Sequence, residues 1–129
     1  MDNLILKVRI SVLWIFMAVA LSAESALFLM RPGAVEEIEA MAMGPEILFF
    51  MSLFWWIPLV MAFLSVTLKD VANRRINLIV GAILTVVNIA HFIEHLAQPS
   101  AHTILLVGST VAVTALVVWY AWKWPRQGA

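Results

Sequence analysis

Apolar residues in this chain come in long unbroken runs separated by short polar intervals. The pattern has neither the alternation of a half-buried strand nor the narrow stripe of a soluble amphipathic helix. Four runs, Ile10 to Met30, Pro45 to Leu68, Ile76 to Leu96 and Thr103 to Trp122, each supply the roughly 20 residues with which a helix crosses about 30 Å of hydrocarbon. Backbone groups in lipid must satisfy one another, so each run is expected to be a transmembrane helix. Short connections make successive helices antiparallel neighbours. The expected fold is all-α, a single up-down-up-down four-helix transmembrane bundle covering residues 1–129.

Composition agrees with this pattern. The chain of 129 residues is 64% hydrophobic and 12% charged, with a mean hydropathy of +0.98. No soluble domain with a polar surface has that balance. Formal net charge is zero, which gives no footprint for nucleic acid. The absence of cysteine removes disulfides, thiolate metal sites and cysteine nucleophiles.

The distribution of charge carries more information than its sum. Lys7 and Arg9 precede the first run, Lys69, Arg74 and Arg75 separate the second and third, and Lys123 and Arg126 follow the fourth; only Arg31 lies on the other side. The positive-inside rule then places both termini in the cytoplasm, in a multi-pass protein expected in the plasma (inner) cell membrane. The first run resembles a signal peptide in its basic flank. It continues to Met30, however, and a cleavage position would need Leu21 or Glu24 where a small residue is preferred, so it is read as a retained span. Small residues at Ala18, Ser22 and Ala26, and at Gly108, Ala112 and Ala115, permit close helix approach, within the bundle or in a homo-oligomer. Trp119, Tyr120, Trp122 and Trp124 beside Lys123 read as an interfacial anchor.

Against this apolar background the ionisable residues stand out. A charge at the centre of a membrane helix costs roughly 2.5 to 3.5 kcal/mol, so such groups mark a partner, a cavity or a task. Glu24 and His91 lie at matching depths, roughly 6 to 8 Å outward of the midplane, with Glu94 and His95 about a turn further out. Asn77, Gly81, Thr85, Asn88, His91 and His95 recur at helical spacing and are expected to face the bundle interior as one stripe, with Glu24 as the partner of Asn88 and His91. Trp55 and Trp56 precede Pro58, whose ring removes a backbone hydrogen bond, so a bent and Trp-lined second span is a candidate pocket wall. The polar cluster is therefore Glu24, Trp55, Trp56, Asn88 and His91, and the candidate acid–base groups are Glu24, His91, Glu94 and His95.

His91-Phe92-Ile93-Glu94-His95 also has the spacing of the inverted zinc-hydrolase signature, two histidines on one face with a glutamate between them. A divalent metal there would use His91 and His95, with Glu24, His102 or an acid of the first loop as third ligand. An axial haem between His91 or His95 and His102, and copper bound with Met30, Met41 or Met43, are further readings of the same residues. Glu36, Glu37, Glu39 and Glu46 make the first loop acidic, either as a cation-attracting mouth or as a solvated interfacial turn from Val35 to Met43.

Several segments together resemble an uncharacterised family of short four-span membrane proteins from bacteria and archaea, a domain of unknown function. They are Arg31-Pro32-Gly33 with Glu36-Glu37-Ile38, Phe63-Leu64-Ser65 leading to Leu68-Lys69, Ala72-Asn73-Arg74, Val87-Asn88-Ile89-Ala90, and Leu116 through Pro125. That resemblance implies the four-span fold and no activity. The His91 to His95 motif is outside its pattern.

Three functions compete. The first is a non-enzymatic membrane or interaction protein in which Glu24, Asn88 and His91 form closed pairs. The second is a small proton-coupled transporter, since one membrane glutamate in the first of four spans is similar to the small multidrug resistance exporters, although the charge bias is strong and the third span holds Gly81 alone. The third is a membrane enzyme acting on a lipophilic small molecule through histidine and glutamate. A cavity reaching Glu24 and His91 separates the last two from the first.

Overall fold

In a computed structural model describing residues 3–125, the chain forms five helices: α1 (Asn3–Leu29), α2 (Ala34–Ala40), α3 (Pro45–Thr67), α4 (Asp70–His95) and α5 (Ala101–Lys123). Arg126, one of the basic residues used to orient the spans, lies outside the described residues. Helices α1, α3, α4 and α5 are each long and apolar enough to cross a membrane. Among the described residues there is no strand. The helices overrun the apolar stretches at their N-termini, α1 by beginning at Asn3 and α4 by beginning at Asp70. Helical backbone is self-satisfied on either side of the hydrocarbon boundary, so polar first turns extend the helices without cost.

Local chemistry explains the breaks. Gly33, at φ 79°, takes the left-handed turn that separates α1 from α2. Pro45 occupies the first turn of α3, where its missing N–H has no helical acceptor to lose, and Glu46 beside it complements the helix dipole. Leu68 and Lys69 are extended and link α3 to α4 in two residues. Pro99 lies in the turn before α5, and Pro125 follows its end. Pro58 stays inside a continuous α3 and is buried; its ring deprives the Phe54 carbonyl of the usual N–H.

Alternating directions follow from the contacts. Ser11 donates to the Ala62 carbonyl at 2.9 Å and Lys7 to the Leu68 carbonyl at 3.1 Å, while Trp55 reaches Ser22, so α1 and α3 are antiparallel. Gly81 opposes Val117 and Val118, and Gly108 opposes Phe92, so α4 and α5 are antiparallel too. Packing is uneven around the ring. α1 lies against both α3 and α5, and α4 lies against α5, whereas α3 and α4 touch sparingly. α1 is consequently the most enclosed span and α3 the least. Leu6, Ile10, Trp14, Met17 and Leu21 of α1 form the spine of the core, met by Met61 and Ala62 of α3, Leu84 of α4 and Val113 and Val117 of α5. The bundle therefore has one weak seam, between α3 and α4.

That seam is closed at the basic end by buried polar groups. Asn77 accepts from Trp14 Nε1 at 2.7 Å and donates to the side-chain oxygen of Asn73 at 2.8 Å and to its carbonyl at 3.0 Å. Asn73 donates to the Ser65 carbonyl at 2.7 Å, and Ser65 Oγ lies 3.2 Å from the Asn77 amide nitrogen. Asn73, Asn77 and Ser65 are fully buried. Below them, Asp70 pairs with Lys7 at 3.1 Å and accepts from Asn3 at 2.6 Å. Three helices thus meet through satisfied polar groups at one end, and α3 and α4 are left free to diverge at the other.

Candidate functional site

Where α3 and α4 diverge, α1 floors a cavity of about 780 Å³ and α2 borders it from above. This lies within the usual range for small-molecule sites, roughly 300 to 1,000 Å³. Its apolar wall includes Leu21, Phe28, Met51, Phe54, Trp55 and Val87, with Ile38 and Met41 contributed from α2 and its C-cap. Its titratable wall is Glu24, His91, Glu94 and His95. Among the described residues no lysine or arginine lines it. Along the same seam, nearer the clasp, a smaller and wholly apolar groove of about 310 Å³ runs between Trp56, Ile57, Val60 and Leu64 of α3 and Val80, Ile83 and Leu84 of α4.

Each polar group reaches the cavity by helix geometry. His91 and His95 are one turn apart on α4, so their rings fall on one face, and their Nε2 atoms approach to 2.9 Å with ring planes at 66°. Two ring nitrogens at that distance need one N–H and one lone pair, so a single proton lies between the imidazoles. His91 Nδ1 is buried and has no partner among the described residues. Glu24 comes from the last third of α1 and is 8% exposed. Its carboxylate makes no hydrogen bond among the described residues and keeps its remaining exposure toward the cavity it lines. Glu24 and Glu94 both stand within electrostatic range of His91. Trp55 donates from Nε1 to Ser22 Oγ at 2.8 Å, which fixes its ring on the cavity wall.

The residues singled out from the sequence therefore divide. Glu24, Trp55, His91, Glu94 and His95 share the cavity. Asn88 does not: it is fully buried against α5, donating to the Thr110 carbonyl at 3.3 Å and the Thr114 hydroxyl at 3.4 Å, rather than pairing with Glu24. Trp56, about 100° further round α3 than Trp55, is 60% exposed and borders the apolar groove instead. The stripe on α4 is split in the same way. Asn77, Gly81 and Asn88 are buried, whereas Thr85 returns its hydroxyl to the Gly81 carbonyl at 2.6 Å.

Of the third ligands proposed for a metal, Glu24 lines the cavity with His91 and His95, and His102 does not. His102 sits at the start of α5 beside Ser100 at 3.3 Å and Thr103 at 3.4 Å, and does not line the cavity. Among the described residues no three His, Asp, Glu or Cys side chains are grouped to hold a metal ion. His102, the axial partner proposed for a haem, stands outside the cavity that His91 and His95 line. Met41 and Met43 do line the cavity, whereas Met30 is 77% exposed outside it.

Sequence reasoning overlooked Phe28, Met51, Phe54 and Val87, which read as ordinary lipid-facing or core positions. Their signal was indirect: Phe28, Met51 and Val87 lie one turn from Glu24, Trp55 and His91 on the same helix faces, and Phe54 lies three residues from Met51. No protein-family model matches the chain, and neither a curated protein nor a solved structure is significantly similar to it. Any functional reading rests on this chain's own residues.

Proposed function

We propose that this multi-pass membrane protein is a non-enzymatic binder or carrier that takes a lipophilic small molecule from the bilayer into the cavity between α1, α3 and α4, with the α2 end on the outer side and both termini in the cytoplasm. The orientation follows from the concentration of Lys and Arg at the clasp end. One observation carries the functional reading. Glu24, with no hydrogen-bond partner among the described residues, opens together with Glu94 and the His91–His95 pair onto a large apolar cavity instead of being closed in a packed core. A cluster kept only for helix packing would close on itself, because open polar groups in hydrocarbon are costly. The sparse contact between α3 and α4 supports lateral access along the seam, and the apolar groove extends that path toward the clasp.

Intrinsic fluorescence in nanodiscs tests this reading. Trp55 is on the cavity wall, so 12-bromododecanol should quench wild-type fluorescence with a saturable component that Trp55→Phe removes. Quenching that rises only in proportion to bromododecanol in the bilayer, identically in both proteins, would overturn it.

A second reading has its own support, the 2.9 Å contact between His91 and His95 beside two carboxylates. It makes the site an acid–base centre acting on the bound molecule. Recovery of the native ligand chemically unchanged after prolonged incubation supports the carrier; conversion that His91→Ala abolishes supports the enzyme.

A further inference from the structure

We infer that the basic end of the bundle carries a site for an acidic phospholipid, with the Arg74 guanidinium as the group that engages the lipid phosphate. The site is at the opposite end of the spans from the cavity and stands or falls separately from it. Arg9, Lys69, Arg74, Arg75 and Lys123 gather at this end. Asp70 is the one acid there among the described residues, and it is held by Lys7 at 3.1 Å and Asn3 at 2.6 Å. None of the five cations makes an ion pair among the described residues.

A surplus of exposed charge is by itself only a solvated surface, and four of the five fit that description. Arg74 does not: it is half-buried, whereas Arg9, Lys69, Arg75 and Lys123 are exposed. Its Nε is enclosed without an acceptor, while its terminal nitrogens make no hydrogen bond and stay accessible. A guanidinium partly withdrawn from water is costly without an anion beside it, and two oxygens of a phosphate match its fork. Gly81 packs against Val117 and Val118 on an antiparallel helix, so Arg74, two turns nearer the basic end, is level with Trp124. Trp124 is 2% exposed, and its indole N–H also lacks an acceptor. A phosphate at this level brings acceptor oxygens to the place where two neighbouring helices both lack them.

The bilayer settles the source of that phosphate. Trp119 and Trp122 of α5 are exposed, and Lys123 lies over the Trp119 ring at 4.8 Å, the arrangement of a helix end among lipid headgroups. Along α4 from Arg75, Ile79 and Ile83 follow at one and two turns and are exposed, a surface that acyl chains cover in any membrane. Arg74 therefore chooses among headgroups. A choline headgroup would bring its own ammonium against Arg75 and Lys123, whereas phosphatidylglycerol presents a phosphate with no cation attached.

The test titrates the full chain in dodecyl maltoside micelles with palmitoyl-oleoyl phosphatidylglycerol, the phosphatidylcholine of the same chains, or sn-glycerol 3-phosphate, and follows the rise in melting temperature by circular dichroism. Wild type should reach half-saturation at about a tenfold lower mole fraction of phosphatidylglycerol than of phosphatidylcholine, as charge-assisted hydrogen bonds to a half-buried guanidinium give. That ratio should persist in about 0.5 M salt, which screens diffuse surface attraction far more than a partly buried contact. Arg74→Gln should bring the two lipids within about twofold of each other, while Arg9→Gln, which removes an exposed charge from the same end, should leave the ratio unchanged. Equal half-saturation in wild type, a ratio preserved in cooperatively melting Arg74→Gln, or an equal fall in Arg9→Gln overturns the assignment. If Arg74→Gln does not melt cooperatively, the salt titration of wild type decides: loss of the ratio there reduces the effect to surface charge and overturns the site. A rise with glycerol 3-phosphate equal to that with phosphatidylglycerol would make the ligand a soluble phosphate and overturn the lipid.

Discussion

Asn77 is the residue on which the seam between α3 and α4 most depends. Replacing it by leucine removes the acceptor of the 2.7 Å bond from Trp14 and the donor to Asn73 and Ser65. Trp14 is fully buried, so its indole N–H is left without a partner, a loss of about 1 to 3 kcal/mol. Interhelical hydrogen bonds in membranes average about 0.6 kcal/mol and reach about 1.7, since the unfolded chain in lipid finds partners as well. Asn77→Leu should therefore lower stability by about 2 to 4 kcal/mol, and Trp14→Phe, which removes the donor but keeps most of the ring, by about 1 to 2 kcal/mol. The double variant should recover about 1 kcal/mol of the summed loss, because the second substitution removes a group the first has already orphaned. Reversible unfolding in mixed micelles at rising mole fractions of sodium dodecyl sulfate, followed by far-ultraviolet circular dichroism, measures all four corners of the cycle. Strict additivity, within about 0.3 kcal/mol, would refute the clasp.

Other regions give independent expectations. A Cβ at Gly81 would meet Val118 Cγ2 at 3.1 Å and Val117 Cγ1 at 3.2 Å, so Gly81→Leu should separate α4 from α5 and cost about 1 to 3 kcal/mol in the same assay, with Val118→Ala restoring part of it. Gly33 has open space but a φ of 79°, so Gly33→Ala should cost about 1 kcal/mol through backbone strain alone; Ala42, at φ 47°, is under the opposite pressure, and Ala42→Gly should not destabilise. Lys7→Met leaves Asp70 without its 3.1 Å partner at a site where both side chains keep some exposure, so its cost should be about 1 kcal/mol and should shrink in high salt.

The sequence made the spans legible because hydrophobic length is the dominant requirement in lipid. Helix ends drifted by several residues, since a helix need not stop where the apolar run does; α4, expected from Ile76, begins at Asp70 and brings Asn73 into the bundle. The common depth of Glu24 and His91 also follows from a fixed rise per residue, and both line one cavity. Rotation was not legible. Asn88 and His91 are three positions apart on α4 and read as one stripe, yet Asn88 faces α5 and His91 the cavity, because the neighbour of each face is set by how α1 and α5 pack. Trp55 and Trp56 part for the same reason. The Asn73, Asn77, Ser65 and Trp14 clasp joins three helices, and no spacing within one helix announces a partner on another. His102 is close to His95 in sequence, but beyond the turn at Pro99 it sits beside the hydroxyls of Ser100 and Thr103 and does not line the cavity that holds the other two histidines.

The central claim is that the diverging halves of α3 and α4 enclose a ligand cavity reached from the bilayer. Photo-cross-linking in nanodiscs with a dodecanol carrying a terminal diazirine, mapped by mass spectrometry, tests it most directly. Adducts at Phe54, Trp55, Val87 and Ala90 that excess dodecanol suppresses are the expected result. Adducts confined to exposed apolar residues away from the cavity, such as Phe63 and Leu105, and unchanged by the competitor would contradict it.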